Sequence, residues 1–173
     1  QTVLNYAESA AYHCHRFNLQ FKGPVDDTSA GDETYIKIIG EWAYVFLFIS
    51  SKNLVLSAYH LAHSRETLPA VITMTEAIRT AEPQQKISLI TDGNPSYPAG
   101  IHFMNEKRPQ ELPRIEHHAV IGLQNLDQES ETYRSFKQLI ERLNRTFKFH
   151  VRPASGFKSD NGALSLVVLF ATH

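Results

Sequence analysis

The chain has a single cysteine, Cys14, so no disulfide can close within its 173 residues, and the sequence suits a reducing compartment. No apolar run approaches the roughly 20 residues of a membrane-spanning helix; the longest, residues 45–49 and 164–171, stop well short. Charge of one sign is lacking too. Seventeen Lys and Arg against 18 Asp and Glu leave a net charge of −1, which excludes a uniformly basic nucleic-acid binder, so any affinity for a polyanion must come from a local patch. There is no initiator Met and no basic-then-apolar leader at Gln1, which points to a piece of a longer chain. Ser96 and Ser155 lack the G-x-S-x-G setting of a serine nucleophile. His13 and His15 flank Cys14 while His60, His63, His117 and His118 lie elsewhere, a distribution that matches no zinc-ligand spacing.

The chain does have an ordinary globular composition, 42% hydrophobic and 20% charged, enough for one domain with a short appendage. It also has a sharp local imbalance. Between Thr132 and Lys158 there are seven cations, Arg134, Lys137, Arg142, Arg145, Lys148, Arg152 and Lys158, against Glu141 alone, while Asp26, Asp27, Asp32, Glu33 and residues 124–131 carry the acidic excess.

Residues 2–13 are Ala-rich with helical spacing, and 15–30 read as a linker around Gly23-Pro24. From Gly31 the pattern turns β-branched and aromatic: strands are expected over 32–39, 41–51 and 54–63, an antiparallel meander. A helix over 66–81, capped by Ser64 with Pro69 in its first turns, comes next. A buried strand at 87–90, a helix near 98–106, a loop with Pro109 and Pro113, a fifth strand over 115–123 and helices over 131–149 and 161–173 complete the reading. Trp42, Tyr44, Phe46 and Phe48 alternate on one strand face, which suits core packing better than base stacking. Three antiparallel strands, then a helix and two strands parallel to the first, give an α/β fold: a mixed five-stranded sheet with helices on both faces, in the order of the ribonuclease H-like fold.

The stretch KISLITDGNPS sets the candidate site. Its apolar run ends in Thr91 and Asp92 before Gly93, Asn94 and Pro95 break the strand, and carboxylates delivered beyond strand ends are held rigidly yet reach solvent. An Asp before Gly can also be only a turn former. In this strand order the first and fourth strands are neighbours, which brings Asp32 near Asp92. Phe136, Ile140, Leu143 and Phe147 form one apolar helix face, and Glu141 sits at its edge, able to lean over the strand ends. Three converging carboxylates call for hard divalent ions with oxygen ligands, Mg²⁺ or Mn²⁺, and a pair of ions could clamp both oxygens of a phosphodiester displacement. Arg134, Lys137, Arg145 and Lys148 lie largely off the apolar stripe and are candidate DNA-phosphate contacts; a solvated helix face would look the same.

The strings GDETYIKIIGEWAY, ISLITDGNPSY and FKQLIERLNRTFKFHVRPASGFKS resemble the catalytic domain of DDE-type bacterial insertion-sequence transposases, in the integrase-like branch of the ribonuclease H-like superfamily. The resemblance covers residues 31–173. It implies that Asp32, Asp92 and Glu141 are the catalytic, metal-binding triad, with two Mg²⁺ or Mn²⁺ ions expected. It also implies cleavage of double-stranded DNA at transposon ends with transfer of the 3′-hydroxyl to target DNA, by a homo-oligomer in the bacterial cytoplasm at the nucleoid. Residues 1–30 would then be the tail of an upstream DNA-binding module. The interval from Asp92 to Glu141 is longer than in many relatives, and Glu129 and Glu131 are the rival third carboxylates. The other readings are a ribonuclease or resolvase on the same fold and a domesticated or decayed transposase that binds DNA or protein without cutting DNA.

Overall fold

The computed structural model describes residues 2–121 and 128–172, the side chain of residue 129 excepted. Five strands form one mixed sheet in the order β3-β2-β1-β4-β5: β1 Thr28–Ile38, β2 Glu41–Ser50, β3 Leu56–Ala62, β4 Ser88–Thr91 and β5 Glu116–Ala119. The β1, β2 and β3 strands run antiparallel, and β4 and β5 run parallel to β1, so the ribonuclease H-like order read from the sequence is the order observed. Five helices cover the sheet: α1 Thr2–Gln20, α2 Thr67–Ala77, α3 Ser96–Lys107, α4 Gln128–Val151 and α5 Asp160–Thr172. No helix among the described residues is long and apolar enough to cross a membrane.

The core is two layers split by the sheet. On one face Ala30, Ile36, Val45, Leu47 and Ile49 pack against Ile140 and Phe147 of α4 and Ala163 and Val167 of α5. On the other, Phe46, Phe48 and Leu89 pack against Ala70 and Met74 of α2 and Tyr97 and Ile101 of α3. The β2 strand is buried on both faces from Val45 to Ser50, which is why its sequence is nearly continuous apolar rather than alternating. Phe46 and Phe48 are core residues as expected, whereas Trp42 at the strand's start is half exposed, edge-on to Tyr35 at 5.0 Å.

Several boundaries differ from the sequence reading. The α1 helix runs on to Gln20, because His15 reaches the Tyr59 hydroxyl at 2.8 Å and Asn18 donates to Thr172 at 3.0 Å, tertiary contacts that extend a helix past its local propensity. The β1 strand starts at Thr28, where the parallel ladder to β4 begins. The α2 helix is capped at Glu66, with no side-chain cap bond from Ser64, and ends at Ala77, so residues 78–80 are turn and residue 81 lies outside the helix. The β5 strand is confined to the four residues that pair with β4; Leu123, its expected end, lies outside the described residues.

The placement of α4 over β1 depends on a clamp after the helix. The chain turns through Ser155 and Gly156, both at positive φ, and Phe157 exchanges backbone hydrogen bonds of 2.7 Å with Lys37 and Ile39 at the β1–β2 hairpin. Gly156 at φ 107° occupies a conformation that side-chain-bearing residues rarely adopt. Gly31 serves a different need: a Cβ there would lie 2.2 Å from the ring of the fully buried Phe48, its partner on β2. Gly31→Ala is therefore expected to cost about 1–3 kcal/mol as an overpacking change, read as a lowered urea midpoint; an unchanged midpoint would mean that the Phe48 ring moves freely.

Candidate active site

The register that pairs Thr28, Ser29 and Ala30 with Ser88, Leu89 and Ile90 continues to place Asp32 level with Asp92, just beyond the last paired rung. The ligand atoms of Asp32, Glu33 and Asp92 all lie within 4.8 Å of one another, forming one acidic group at the strand ends. Asp92 is also the turn former that the Asp-Gly pair suggested: its Oδ1 accepts from the Asn94 backbone N–H at 3.0 Å. Asn94 in turn accepts from the Ser96 backbone N–H at 3.0 Å and its hydroxyl at 2.9 Å, fixing the start of α3. Turn chemistry and site chemistry are thus carried by the same side chain.

The two neighbouring acids of β1 are held from opposite sides of the sheet, as strand alternation requires. Asp32 faces α4. Its Oδ2 accepts from Asn144 Nδ2 at 3.1 Å and from Lys137 Nζ at 3.4 Å, and its Oδ1 from the Glu33 backbone N–H at 3.0 Å. Glu33 faces α2 and α3, where Tyr97 donates to Oε2 at 2.7 Å, Asn94 donates to Oε1 at 2.9 Å, and Arg65 forms an ion pair.

These surroundings push the two carboxyls apart. Burial, opposed by Lys137 and reinforced by Asp92 and Glu33, raises Asp32 from 3.8 to about 6. Burial also works to raise Glu33, but the bonds from Tyr97, Arg65 and Asn94 outweigh it and leave Glu33 below its ordinary value. Tyr97, deep in the core and facing Glu33, is pushed well above the usual phenol range, so it stays a hydrogen-bond donor.

Glu141, on α4, is half-buried and borders a cavity of about 560 Å³ together with Asp32, Glu33, Thr34, Asn144, Arg145 and Lys148. It is outside the group of ligand atoms within 4.8 Å. Of its rivals, Glu131 is exposed in the first turns of α4 and not in a loop, and the Glu129 side chain lies outside the described residues. Among the basic candidates, Arg145 is exposed at the cavity, Lys148 is there with its ammonium 4.1 Å from the Tyr35 ring centre, and Arg134 is half-buried. Lys137 is buried rather than solvent-facing: one turn before Ile140, it is drawn under the helix by Asp32. The sequence reading missed Glu33, Tyr97 and Arg65 as members of the site. Alternation argued against Glu33, because a residue next to Asp32 belongs to the other face, and only the crowding beyond the end of the β4 ladder brings both acids together. The histidines serve locally: His15 bonds Tyr59, His63 bonds Asp160 at 3.1 Å, and His118 stacks on Tyr133 at 4.0 Å.

An all-carboxylate donor set fits a hard divalent cation, and burial, with a smaller push from Asp92 and Glu33, raises Asp32, a cost to its charged form that such an ion would offset. Without an ion, the native state binds the Asp32 proton more tightly than the unfolded chain does. That contribution is fully present below about pH 3.8 and is lost as pH rises through about 6. His60, which burial holds below its ordinary value, acts in the opposite direction, so the test compares the chain with Asp32→Asn, in which His60 cancels. In metal-free buffer the stability of the unsubstituted chain relative to Asp32→Asn is expected to fall by about 2 kcal/mol between about pH 4.5 and 7.5; parallel pH profiles from urea unfolding would refute it.

Comparison with known proteins accords with this geometry. The HTLV-2 integrase catalytic core domain, solved with magnesium in a trimeric form, superposes with a TM-score of 0.53 at 10% identity over 84% of this chain and 84% of that one. The dimeric form gives 0.52 at 12% identity, over 86% and 88%. A chain of the simian T-cell lymphotropic virus intasome, solved with the PP2A regulatory subunit B56 gamma, gives 0.50 at 13% identity over 84% of this chain. This chain spans about half the length of that one, at 49%. No curated protein sequence matches. At such identities these structures share the fold. Residues 28–170 match the family model described as "DDE domain" (DDE_Tnp_IS240), and the chain belongs to that family.

Proposed function

We infer that the chain is the catalytic domain of a transposase that cleaves DNA at transposon ends and joins the freed 3′-hydroxyl to target DNA with Mg²⁺ or Mn²⁺, two ions being the expected number. The observation that carries this reading is the convergence of Asp32 and Asp92 from neighbouring parallel strands, with Asp32 also lining a cavity that Glu141, Arg145 and Lys148 border. Asp32, Asp92 and Glu141 are the proposed metal ligands. Glu33 is a poorer candidate because the Arg65 guanidinium is already paired with its charge while Tyr97 and Asn94 donate to its two oxygens, whereas the one cation at Asp32, Lys137, stands 3.4 Å away. When bound, divalent ions supply charge neutralisation and in-line activation of the phosphodiester. The chain's own residues do the rest: Asn144 and Lys137 fix the Asp32 carboxylate, Asn94 fixes Asp92, and Arg145 and Lys148 hold the DNA backbone, with Arg134 along the same helix. A homo-oligomer on DNA belongs to the proposal, since similar chains occur in an intasome and in dimeric and trimeric cores.

Calorimetric Mn²⁺ titration and nicking of double-stranded DNA test it together. Asp92→Asn and Glu141→Gln are each expected to weaken Mn²⁺ binding and to lower nicking at least about 100-fold. Undiminished binding in Glu141→Gln would move the third ligand to Glu33, Glu129 or Glu131. Preferential cutting of an RNA–DNA hybrid would favour the ribonuclease reading, and a chain that binds Mn²⁺ and DNA without nicking would favour the non-catalytic one.

A further inference from the structure

The loop of the β1–β2 hairpin carries a residue that such loops avoid. Ile38 and Glu41 are the last pair of the ladder, so Ile39 and Gly40 make up the whole loop, and both stand at positive φ, 52° and 84°. Two-residue hairpin loops of this kind favour Asn-Gly, because a side chain branched at Cβ crowds the backbone in that conformation. Ile39 is branched and occupies the position nonetheless. Packing does not compensate: the side chain is 75% exposed. The fold holds its backbone instead, through the N–H that donates to the Phe157 carbonyl at 2.7 Å. An apolar group is thus kept in solvent, on strained backbone, by a clamp that fixes its position.

The surroundings of the tip indicate what it meets. Behind it Trp42, 51% exposed, stands edge-on to Tyr35, 54% exposed, at 5.0 Å. The Lys37 ammonium lies 4.8 Å from the Trp42 ring centre, and that of Lys148 lies 4.1 Å from the Tyr35 ring centre. Since Lys148 belongs to α4, these rings join the hairpin to the helix that carries Glu141. Arg145 and Lys148 on that helix and Arg152 just past its end line the cavity that Asp32 and Glu141 border. A row of cations therefore leads from the carboxylates to the tip. Lys158, next to Phe157, adds another there, and Glu41 is the one acid between Tyr35 and Trp42.

Positive charge around an exposed apolar tip fits duplex DNA, whose phosphates meet the cations and whose base steps accept an apolar wedge. We propose that the β1–β2 hairpin is a DNA wedge: Ile39 enters a base step and opens it, Lys37 and Lys158 meet the flanking phosphates, and the duplex bends there. This rests on the DNA reading of the carboxylate site and adds a separate contact with a different action. Ile39 lies seven residues beyond Asp32, which is about 23 Å of strand at roughly 3.3 Å per residue and spans about seven base pairs at about 3.4 Å each. It has no part in metal binding. Asn in its place would relax the loop and remove the wedge, so the strained residue is the one the DNA contact requires.

The test compares the unsubstituted chain with Ile39→Asn, which suits positive φ and lacks the wedge, and Ile39→Leu, which keeps an apolar group. Each is titrated, with Ca²⁺ in place of Mg²⁺, against a duplex of about 30 base pairs carrying a donor dye at one end and an acceptor at the other. Binding of the unsubstituted chain is expected to raise energy transfer by bringing the ends together, and Ile39→Leu to do the same. Ile39→Asn is expected to lose most of that rise and to bind about fivefold more weakly, the burial of one Ile side chain less the unstacking it causes. Its Mn²⁺ binding is expected to be unchanged and its melting temperature higher by about 2–5 °C. An undiminished rise in Ile39→Asn, an equal loss in Ile39→Leu, no rise with the unsubstituted chain bound, or a lowered melting temperature in Ile39→Asn, which would show that the fold uses the side chain, each overturns the wedge. Self-association that Ile39→Asn abolishes while DNA bending persists also overturns it, and makes the tip a contact between copies. Failure of the DNA reading is distinguishable, because the unsubstituted chain then binds no duplex, and the wedge falls with it.

Discussion

Three carboxylates with ligand atoms inside 4.8 Å repel one another, and the fold around β1 is arranged to bear that repulsion. Each acid is tethered by a different helix or turn. Asp32 is held from α4 through Lys137 and Asn144, Glu33 from the α2 and α3 side through Arg65 and Tyr97, and Asp92 through the Asn94 turn that begins α3. Asn94 links two of the three, because its amide reaches Glu33 while its backbone N–H reaches Asp92. Removing one of these partners with the fold intact would leave its acid buried and uncompensated, a state that costs several kcal/mol. The site is therefore also a fastening of the two core layers to the central strand.

The compensation is unequal, and the inequality gives the acids different work. Glu33 receives two charge-neutral donors and a guanidinium, which hold its carboxyl ionised despite burial. Asp32 receives an amide and a more distant ammonium, not enough to offset burial beside two other acids, and its carboxyl is raised to about 6. Paired carboxyls with diverging affinities for the proton mark separate roles: Glu33 is the satisfied acid that organises Asn94 and Tyr97, and Asp32 is the unsatisfied one with an appetite for further positive charge.

Much of this was legible in the chain alone. The apolar strand that stops at Thr91 and the turn residues after it placed Asp92 at a strand end, and the strand order then put Asp32 beside it. The apolar stripe of Phe136, Ile140, Leu143 and Phe147 correctly oriented α4 on the sheet, which left Glu141 at the cavity. What was not legible depended on contacts between distant segments. Lys137 looked like a member of a solvated basic face because helical spacing says nothing about a carboxylate 105 positions away that draws it inward. The extension of α1 to Gln20 is set by Tyr59 and Thr172, and Tyr97 gives no local sign that its hydroxyl ends on Glu33.

Lys137 also bears on how the site changes when a divalent ion arrives. Its ammonium contacts one oxygen of Asp32, at 3.4 Å, near the outer limit of a hydrogen bond, while Asn144 holds the same oxygen at 3.1 Å. The other oxygen, Oδ1, accepts only the Glu33 backbone N–H. A carboxylate offers about four lone-pair directions, so three bonds leave one in reserve on Asp32. Lys137 thus holds the carboxylate in place without exhausting it. A doubly charged ion could take up that remaining direction while Asn144 keeps the rotamer fixed, and the ammonium would need to withdraw only far enough to reduce the repulsion between cations. A bidentate Arg in the place of Lys137 would occupy both oxygens and close the site. The looseness of this one contact is what would allow the same residues to stabilise the fold without metal and still receive one.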